Sequence, residues 1–543
     1  MNVTANKPQT AAATTARGTG EVVEFQLDGR TVRALKGQNL VDALLEAGEP
    51  ISAFCYHPGL SVAAQCRQCL VGIGDGYRLV PACQCTVQHG LSVRSQTDQV
   101  RDARRAMLEL TLLNHPVDCV ICDKAGECAL QRHYMDWDAR PAAINHEKVH
   151  KPKRVDLGPN VVLDAERCIL CSRCVRFCTE VAQQQQLTMA QRGDHTVLTT
   201  APGQQLDNPY ALNTVDICPV GALTDKDFRF RSRVWELWST LSVCNGCAAG
   251  CATEIHHKGH EIYRLVPPKR WDMNLSWMCD EGRRSYKAVG TERLTEAVVD
   301  GHPATPEQGC ARAATALALL ARRDPTSLAV VLGADATNED NFMAAQLARH
   351  WVGARVFVAD RADDGRGDTI LRRDDPNPNR AGAQALTADQ DATTTSREAL
   401  LAALGAGAIK GLYVVGNASE LAAPIAAALA ATEFVLVQAT HASALTRAAQ
   451  VVLPAAAWPE VDGTITNERR EVGRLRAAFE PPGQARAHWA WIAEIGAALG
   501  QPRQCASAKD VFEQLRDQVP LFRRASWGEE RPTVRLRWAC RRG

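Results

Sequence analysis

Apolar and polar positions alternate from Val22 to Leu27, with Val23, Phe25 and Leu27 on one side and Val22, Glu24 and Gln26 on the other. A period of two predicts a half-buried strand. Asp28–Gly29 supplies a hairpin turn, and Thr31–Ala34 reads as the returning strand. Asn39 can cap a helix running to Ala47, with Asp42 in its first turn and Gly48 just past its end. A second helix is predicted from about Asp98 to Leu113, with Val100, Ala103, Met107, Leu110 and Thr111 on one face. It delivers His115 to a cysteine-rich stretch. Residues 140–243 hold more cysteines and many loop-forming residues, and the pattern shifts again at about Cys244. Beyond Asp300 the chain turns Ala-rich. Ser327–Leu332, Leu412–Val415 and Phe434–Val437 read as short buried strands with helical stretches between them, an α/β arrangement. The stretch Asp360–Arg380 reads as an exposed loop, and no fixed-period repeat is visible.

With 543 residues the chain is long enough for several domains. Its 45% hydrophobic and 23% charged content is ordinary for a globular protein. A net charge of +1 offers no electrostatic basis for binding nucleic acid or an anionic membrane surface. The lack of an apolar run of about 18 residues predicts that nothing spans a bilayer. Residues 1–20 are rich in Ala and Thr and poor in acid, as a transit peptide would be. Lys7 and Arg17 alone make no Arg-rich face, so the segment is read as a disordered tail.

The cysteines change the picture most. Seventeen of the twenty lie between Cys55 and Cys279, in tight clusters. Close C-x2-C pairs bring several thiolates to one point, which suits metal better than disulfides and implies a reducing compartment. Four sets emerge. The first is Cys55, Cys66, Cys69 and Cys83, whose long first gap suits a loop wrapped around two bridged irons. Gly59, Gly72, Gly74 and Gly76 lie in this region and permit tight turns. The second set is His115, Cys119, Cys122 and Cys128, an imidazole replacing one thiolate; His133 is the alternative nitrogen ligand, but it follows the Cys group with no obvious turn back. The third is Cys168, Cys171 and Cys174, completed by Cys218 before Pro219, a four-iron pattern. Cys178 extends the local run, but no second three-cysteine run stands near Cys218, so Cys178 is read as a buried free thiol. The fourth is Cys244, Cys247, Cys251 and Cys279, again of four-iron type. Zinc is the competing occupant, above all at the second set taken alone. Cys85, Cys178, Cys310, Cys505 and Cys540 are left over as packing thiols.

These motifs resemble the G-type iron–sulfur subunit of the respiratory NADH–quinone oxidoreductases, complex I. The likeness rests on Cys55-Tyr-His-Pro-Gly-Leu60, Cys66-Arg-Gln-Cys-Leu-Val71, the run from His115 to Cys128, and Asp216-Ile-Cys-Pro-Val-Gly-Ala-Leu223. More weakly, Val451-Val-Leu-Pro-Ala-Ala-Ala-Trp-Pro-Glu460 through Asn467, followed by Pro481-Pro-Gly483, resembles a molybdopterin oxidoreductase. The resemblance implies a multidomain α+β and α/β protein. Residues 21–99 would form a β-grasp, ferredoxin-like [2Fe–2S] domain, and 100–139 a [4Fe–4S] domain with one histidine and three cysteine ligands. Residues 140–236 would form a four-cysteine [4Fe–4S] domain, and 237–300 a [4Fe–4S] domain of molybdopterin-oxidoreductase type. Residues 301–543 would be a shortened relic of that enzyme's α/β domain, without molybdenum.

The resemblance further implies electron transfer in place of bond chemistry, so no catalytic residue is expected here. NADH and FMN would sit on a flavin subunit. A thioredoxin-like [2Fe–2S] subunit, a two-cluster ferredoxin-like subunit and quinone-site subunits would be the other partners. The place would be the cytoplasmic side of a bacterial inner membrane. Gly333-Ala-Asp-Ala-Thr-Asn338 is only a weak echo of a phosphate loop and reads as an ordinary strand-to-helix turn. The alternatives are a subunit of an NAD-linked formate dehydrogenase, which needs molybdenum, or of an NAD-linked hydrogenase, disfavoured by residues 300–543.

Overall fold

The computed structural model describes residues 20–74, 76–137, 140–141, 146–268, 273–416, 419–503, 505–528 and 533–536. Residues 1–19 of the expected tail, and Cys540, lie outside the described residues. The chain divides into two units, one of residues 1–237, 275–280 and 535–543, the other of residues 238–274 and 281–534.

The first unit opens with the predicted hairpin. Val22–Leu27 pairs antiparallel with Arg30–Leu35, and Val23, Phe25 and Leu27 are buried. Asp28 and Gly29 both take positive φ, 49° and 85°, the mirror-image turn that matches the twist of paired strands. Ser92–Arg94, Leu70–Ile73 and Arg78–Pro81 complete a five-stranded sheet, and Ser92–Arg94 runs parallel to Val22–Leu27. The helix Leu40–Glu46 is capped by Asn39, whose Oδ1 accepts from the Val41 amide. The same side chain donates to the Cys83 carbonyl at 2.8 Å, tying the helix to the last cysteine of the first set.

The next helix, Asp98–Leu112, runs as its pattern predicts and starts on a Thr97 cap, but its buried face is rotated. Val100, Arg104 and Leu108 face inward, whereas Leu110 is exposed. Arg104 can be buried because its Nε donates to the Leu70 carbonyl at 2.9 Å and its guanidinium lies 4.7 Å from the Trp137 ring. An apolarity count misses such a residue. Past this helix the regular elements are short: a three-stranded sheet of Val155–Asp156, Val161–Leu163 and Leu223–Asp225, a hairpin of Leu187–Ala190 and Val197–Thr200, and helices Arg173–Glu180 and Asn213–Ile217.

The second unit is built on apolar burial. Its seven-stranded sheet has the order His302–Ala304, Ala297–Val299, Val451–Pro454, Phe434–Ala439, Gly411–Val415, Leu328–Gly333, Arg355–Ala359. The last five strands are parallel. All residues of Leu328–Gly333, Gly411–Val415 and Phe434–Ala439 are buried, as strands covered on both faces must be. The helix Pro306–Arg323 begins on a capping box of Thr305 and Gln308. Within it Cys310 is a core thiol whose Sγ lies 3.8 Å from Glu494 Oε2. A separate hairpin of Trp238–Val243 and Ala252–Lys258 continues into Glu261–Val266.

The stretch from Asp360 to Arg380 is irregular up to the helix Arg380–Ala385, but it is not simply exposed. Arg372 is buried because it pairs with Asp364 at 2.7 Å and Glu281 at 2.8 Å, and Asn377 and Asn379 are buried beside it. A run of alternating charge reads as solvated when its partners are themselves within the run. Among the described residues no helix is long and apolar enough to cross a membrane.

Candidate cluster-binding sites

The first set forms two pairs. Cys55 Sγ and Cys66 Sγ lie 3.4 Å apart, and the Cys69 thiol contacts that of Cys83. Two pairs of thiolates match the needs of a two-iron centre, one pair per metal. Contact with the Cys66 thiol pulls Cys55 down to about 5 and pushes Cys66 up, so one thiol of the pair ionises readily. Backbone amides of Gln65 and Cys66 also stabilise the Cys55 thiolate. Ala64 and Arg67 adopt positive φ, 51° and 52°, in the loop that turns these amides inward. Gly59 is obligatory for space, since a Cβ there would lie 2.7 Å from the Trp277 ring, itself stacked on His57.

The third set is the most complete. Cys168, Cys171, Cys174 and Cys218 all line one small cavity, together with Arg173 and the apolar Met189, Leu198, Val220, Ala222 and Leu223. Burial pushes Cys168 up to about 12 and Cys171 up to about 11, and Cys174 well above its ordinary value. Four thiols closing on an apolar hollow are costly unless a cation compensates the thiolates. Leu170 and Ser172 take positive φ, 55° and 60°, and the Leu170 and Arg173 amides bond Cys168 and Cys171. Cys178 does not line the cavity. It is fully buried and pushed up to about 12 by burial alone.

Sites two and three share a peptide segment. The Cys218-Pro219-Val220-Gly221 turn lines the third cavity on one side. On the other, a Cβ at Gly221 would lie 2.1 Å from Cys122 Sγ. The Pro219 carbonyl also accepts from the Ala129 amide at 2.9 Å, next to Cys128, whose sulfur accepts from the Gln131 amide at 3.5 Å. Arg167, beside Cys168, chelates Asp118, beside Cys119, at 2.7 Å. His115 is half-buried, its Nδ1 is inaccessible and without a protein partner, and desolvation lowers it to about 4, leaving a neutral imidazole available as a ligand. Its charged neighbours Asp118 and Arg167 are also those of Cys122. His133 likewise has an unpartnered Nδ1, but its ring packs on Phe54 at 5.3 Å, and its charged neighbours are Arg132, Arg173 and Arg104.

Cys244, Cys247 and Cys251 occupy the turn of the hairpin in the second unit, which is closed by the Cys244 amide donating to the Cys251 carbonyl at 2.8 Å. Cys279 belongs to the first unit, where its neighbours Met278 and Asp280 bond Asn213 and Leu212. All four are buried. Among the described residues no three Cys, His, Asp or Glu side chains close on a point that a single ion would fill. Of the remaining thiols, Cys85 donates to the Pro81 carbonyl at 3.6 Å and Cys505 accepts from Gln514 at 3.1 Å, contacts of packing residues. The Gly333 turn leads into a helix capped by its own Thr337 and Asp340, an ordinary strand-to-helix turn whose N-terminal amides are already used.

Thiol sets on loops of a ferredoxin-like sheet and a neighbouring four-cysteine hollow define an iron–sulfur protein, and three of four family matches agree. Residues 20–98 match the 2Fe-2S iron-sulfur cluster binding domain. Residues 104–140 match the NADH-ubiquinone oxidoreductase-G iron-sulfur binding region, and 158–224 the ferredoxin-like domain of NADH-quinone oxidoreductase subunit 3. Residues 320–498 match molybdopterin oxidoreductase. Domains for both [2Fe–2S] and [4Fe–4S] clusters are therefore present, beside a molybdopterin-oxidoreductase-like region.

Among curated proteins, the chain is 35% identical over 376 residues to the NADH-quinone oxidoreductase G-type subunit of Streptomyces coelicolor, covering 67% of this chain and 44% of that protein. It is 37% identical over 281 residues to the mitochondrial NADH dehydrogenase [ubiquinone] iron-sulfur protein 1 of Solanum tuberosum, covering 52% and 38%. Among solved structures, an NAD+-reducing [NiFe]-hydrogenase in the H2-reduced state aligns with a TM-score of 0.36 at 29% identity, over 39% of this chain and 91% of that one. The chain is a homologue of the G-type iron–sulfur subunit of NADH–quinone oxidoreductase, and it spans less than half the length of these curated relatives.

Proposed function

We infer that the chain is the iron–sulfur wiring subunit of an NADH–quinone oxidoreductase. It holds one [2Fe–2S] cluster on Cys55, Cys66, Cys69 and Cys83. Three [4Fe–4S] clusters sit on His115, Cys119, Cys122 and Cys128, on Cys168, Cys171, Cys174 and Cys218, and on Cys244, Cys247, Cys251 and Cys279. The observation that carries this reading is the shared turn 218–221, which faces the third cavity and backs onto Cys122. The assignment of the fourth set rests on its spacing.

Bound in these sites, clusters supply one-electron carriers, used in the order first, third, second between a flavin-bearing partner that oxidises NADH and a ferredoxin-like partner leading to quinone. The chain's own residues fix the loops, donate amide N–H groups to sulfur, and keep water from the thiolates. Replacing one thiolate by the His115 imidazole makes the second site less negative. Proton translocation belongs to the whole complex. The fourth set lies off this path, and the molybdopterin-like region serves as scaffold without molybdenum. The chain is held peripherally at the cytoplasmic face of a bacterial inner membrane by its partners.

The test is Cys218→Ser in the assembled complex. NADH-driven quinone reduction should fall to background while flavin-level reduction of ferricyanide persists. Unimpaired quinone reduction, or stoichiometric molybdenum with formate-driven activity, would overturn the reading.

A further inference from the structure

One buried cation belongs to two sites at once. Arg173 stands between Ser172 and Cys174 in the third loop and lines the third cavity together with its four cysteines. Its terminal nitrogens tie that loop to both the first and the third set. Nη2 donates to the Ala53 carbonyl at 3.3 Å and to the Tyr56 carbonyl, on either side of Cys55. Nη1 donates to the Ile217 carbonyl at 3.1 Å, next to Cys218. The thiols that act on its charge are Cys171, Cys55, Cys218 and Cys66, two from each site.

Its Nε–H, buried, has no hydrogen-bond partner among the protein groups. A guanidinium carries five donors in a fixed fork and no acceptor, so a buried, unmet Nε–H on a residue that lines a four-thiol cavity can serve an acceptor bound there. Arg176, one turn later, adds bonds to the Cys55 and Ser61 carbonyls, so the strap has a second leg.

We propose that Arg173 is a positioning residue for electron transfer between the first and third sites: its Nε–H bonds a sulfur of the third-site cluster while its terminal nitrogens fix the Cys55 loop. The proposal rests on the cluster reading above. Positive charge within a buried space favours the more negative, reduced state of a cluster, and so does a hydrogen bond to its sulfur. Arg173 thereby raises both potentials together and keeps the step between them small. Lysine at this position would preserve charge but not the fork, because an ammonium cannot hold two loops and a sulfur in one plane.

The experiment is an EPR-monitored redox titration of the anaerobically purified full chain as wild type, Arg173→Met and Arg173→Lys, with iron and labile sulfide measured on each. In Arg173→Met the first-site and third-site potentials should both fall, by at least about tenfold in the reduced-to-oxidised ratio at fixed poise, or about 59 mV for one electron. The second-site signal should stay in place. In Arg173→Lys the retained charge should hold both potentials above those of the methionine variant, with the third-site potential still below wild type for want of the Nε–H, which keeps the test decisive if the methionine variant does not fold. Full iron content with an unmoved third-site potential in either variant overturns the proposal. So does an equal shift of the second-site signal, which would indicate general loosening. A wild-type chain without iron and sulfide would remove the cluster reading itself, a result distinct from both.

Discussion

The two units solve the problem of burial in opposite ways. In the second, three parallel strands are buried at every position and packed under helices such as Pro306–Arg323, so apolar surface drives folding. In the first, among the described residues beyond 112, no strand is longer than four residues, and much of what is buried is cysteine, arginine and loop backbone. Groups of buried thiols such as Cys168, Cys171 and Cys174, each raised by burial, are costly without a compensating cation. They become assets only around a charged cofactor, because cofactor binding then counts as folding free energy. The contrast teaches that the second unit carries its stability in side-chain packing, whereas on the reading proposed above the first unit, beyond its small ferredoxin-like core, would draw part of its stability from bound clusters.

Withholding iron is the strongest way to break that contrast. Chain made under iron limitation should lose amide-exchange protection across 115–128, 168–174 and 218–221 by roughly a thousandfold, about 4 kcal/mol, while Leu328–Gly333 and Phe434–Ala439 remain protected. Equal loss in both units would contradict it. The converse is Leu436→Ala, which hollows the second core and should cost about 2–5 kcal/mol in unfolding of that unit, leaving iron at the first three sites unchanged. Gly221→Ala sharpens the comparison within the first unit. Its methyl group would collide with Cys122 Sγ, so the second-site EPR signal and about four irons should disappear while the first-site signal remains.

Much of this was legible in the sequence where chemistry is local. The Val22–Leu27 alternation, the Asp28–Gly29 turn and the Asn39 cap each depend on neighbouring residues and recur in the structure as read. The cysteine spacing likewise gathered Cys168, Cys171 and Cys174, and the third cavity does include Cys218 from a distant helix end. What spacing could not show is anything set by distant partners. Arg104 replaces Leu110 on the buried face because the Leu70 carbonyl and Trp137 receive it. Arg372 is buried because Asp364 and Glu281 surround it. The strand Arg355–Ala359 escaped notice because it is five residues long and opens on an arginine. Arg173 had no signal beyond its place in C-x2-C, since its role lies in carbonyls more than a hundred residues away.

Two smaller changes refine the ligand assignment. His115→Cys should retain a cluster and lower the second-site potential, because a thiolate adds negative charge; an unmoved titration midpoint would point to His133 instead. Cys178→Ser should leave every cluster signal intact, at a stability cost of about 1–3 kcal/mol for a hydroxyl in a buried position. A lost signal there would transfer a ligand role to Cys178.

The most direct test of the account is the content of iron, acid-labile sulfide, zinc and molybdenum per chain in anaerobically purified protein. One two-iron and three four-iron sites predict about 14 irons with matching sulfide and neither zinc nor molybdenum. Stoichiometric zinc without sulfide would contradict it.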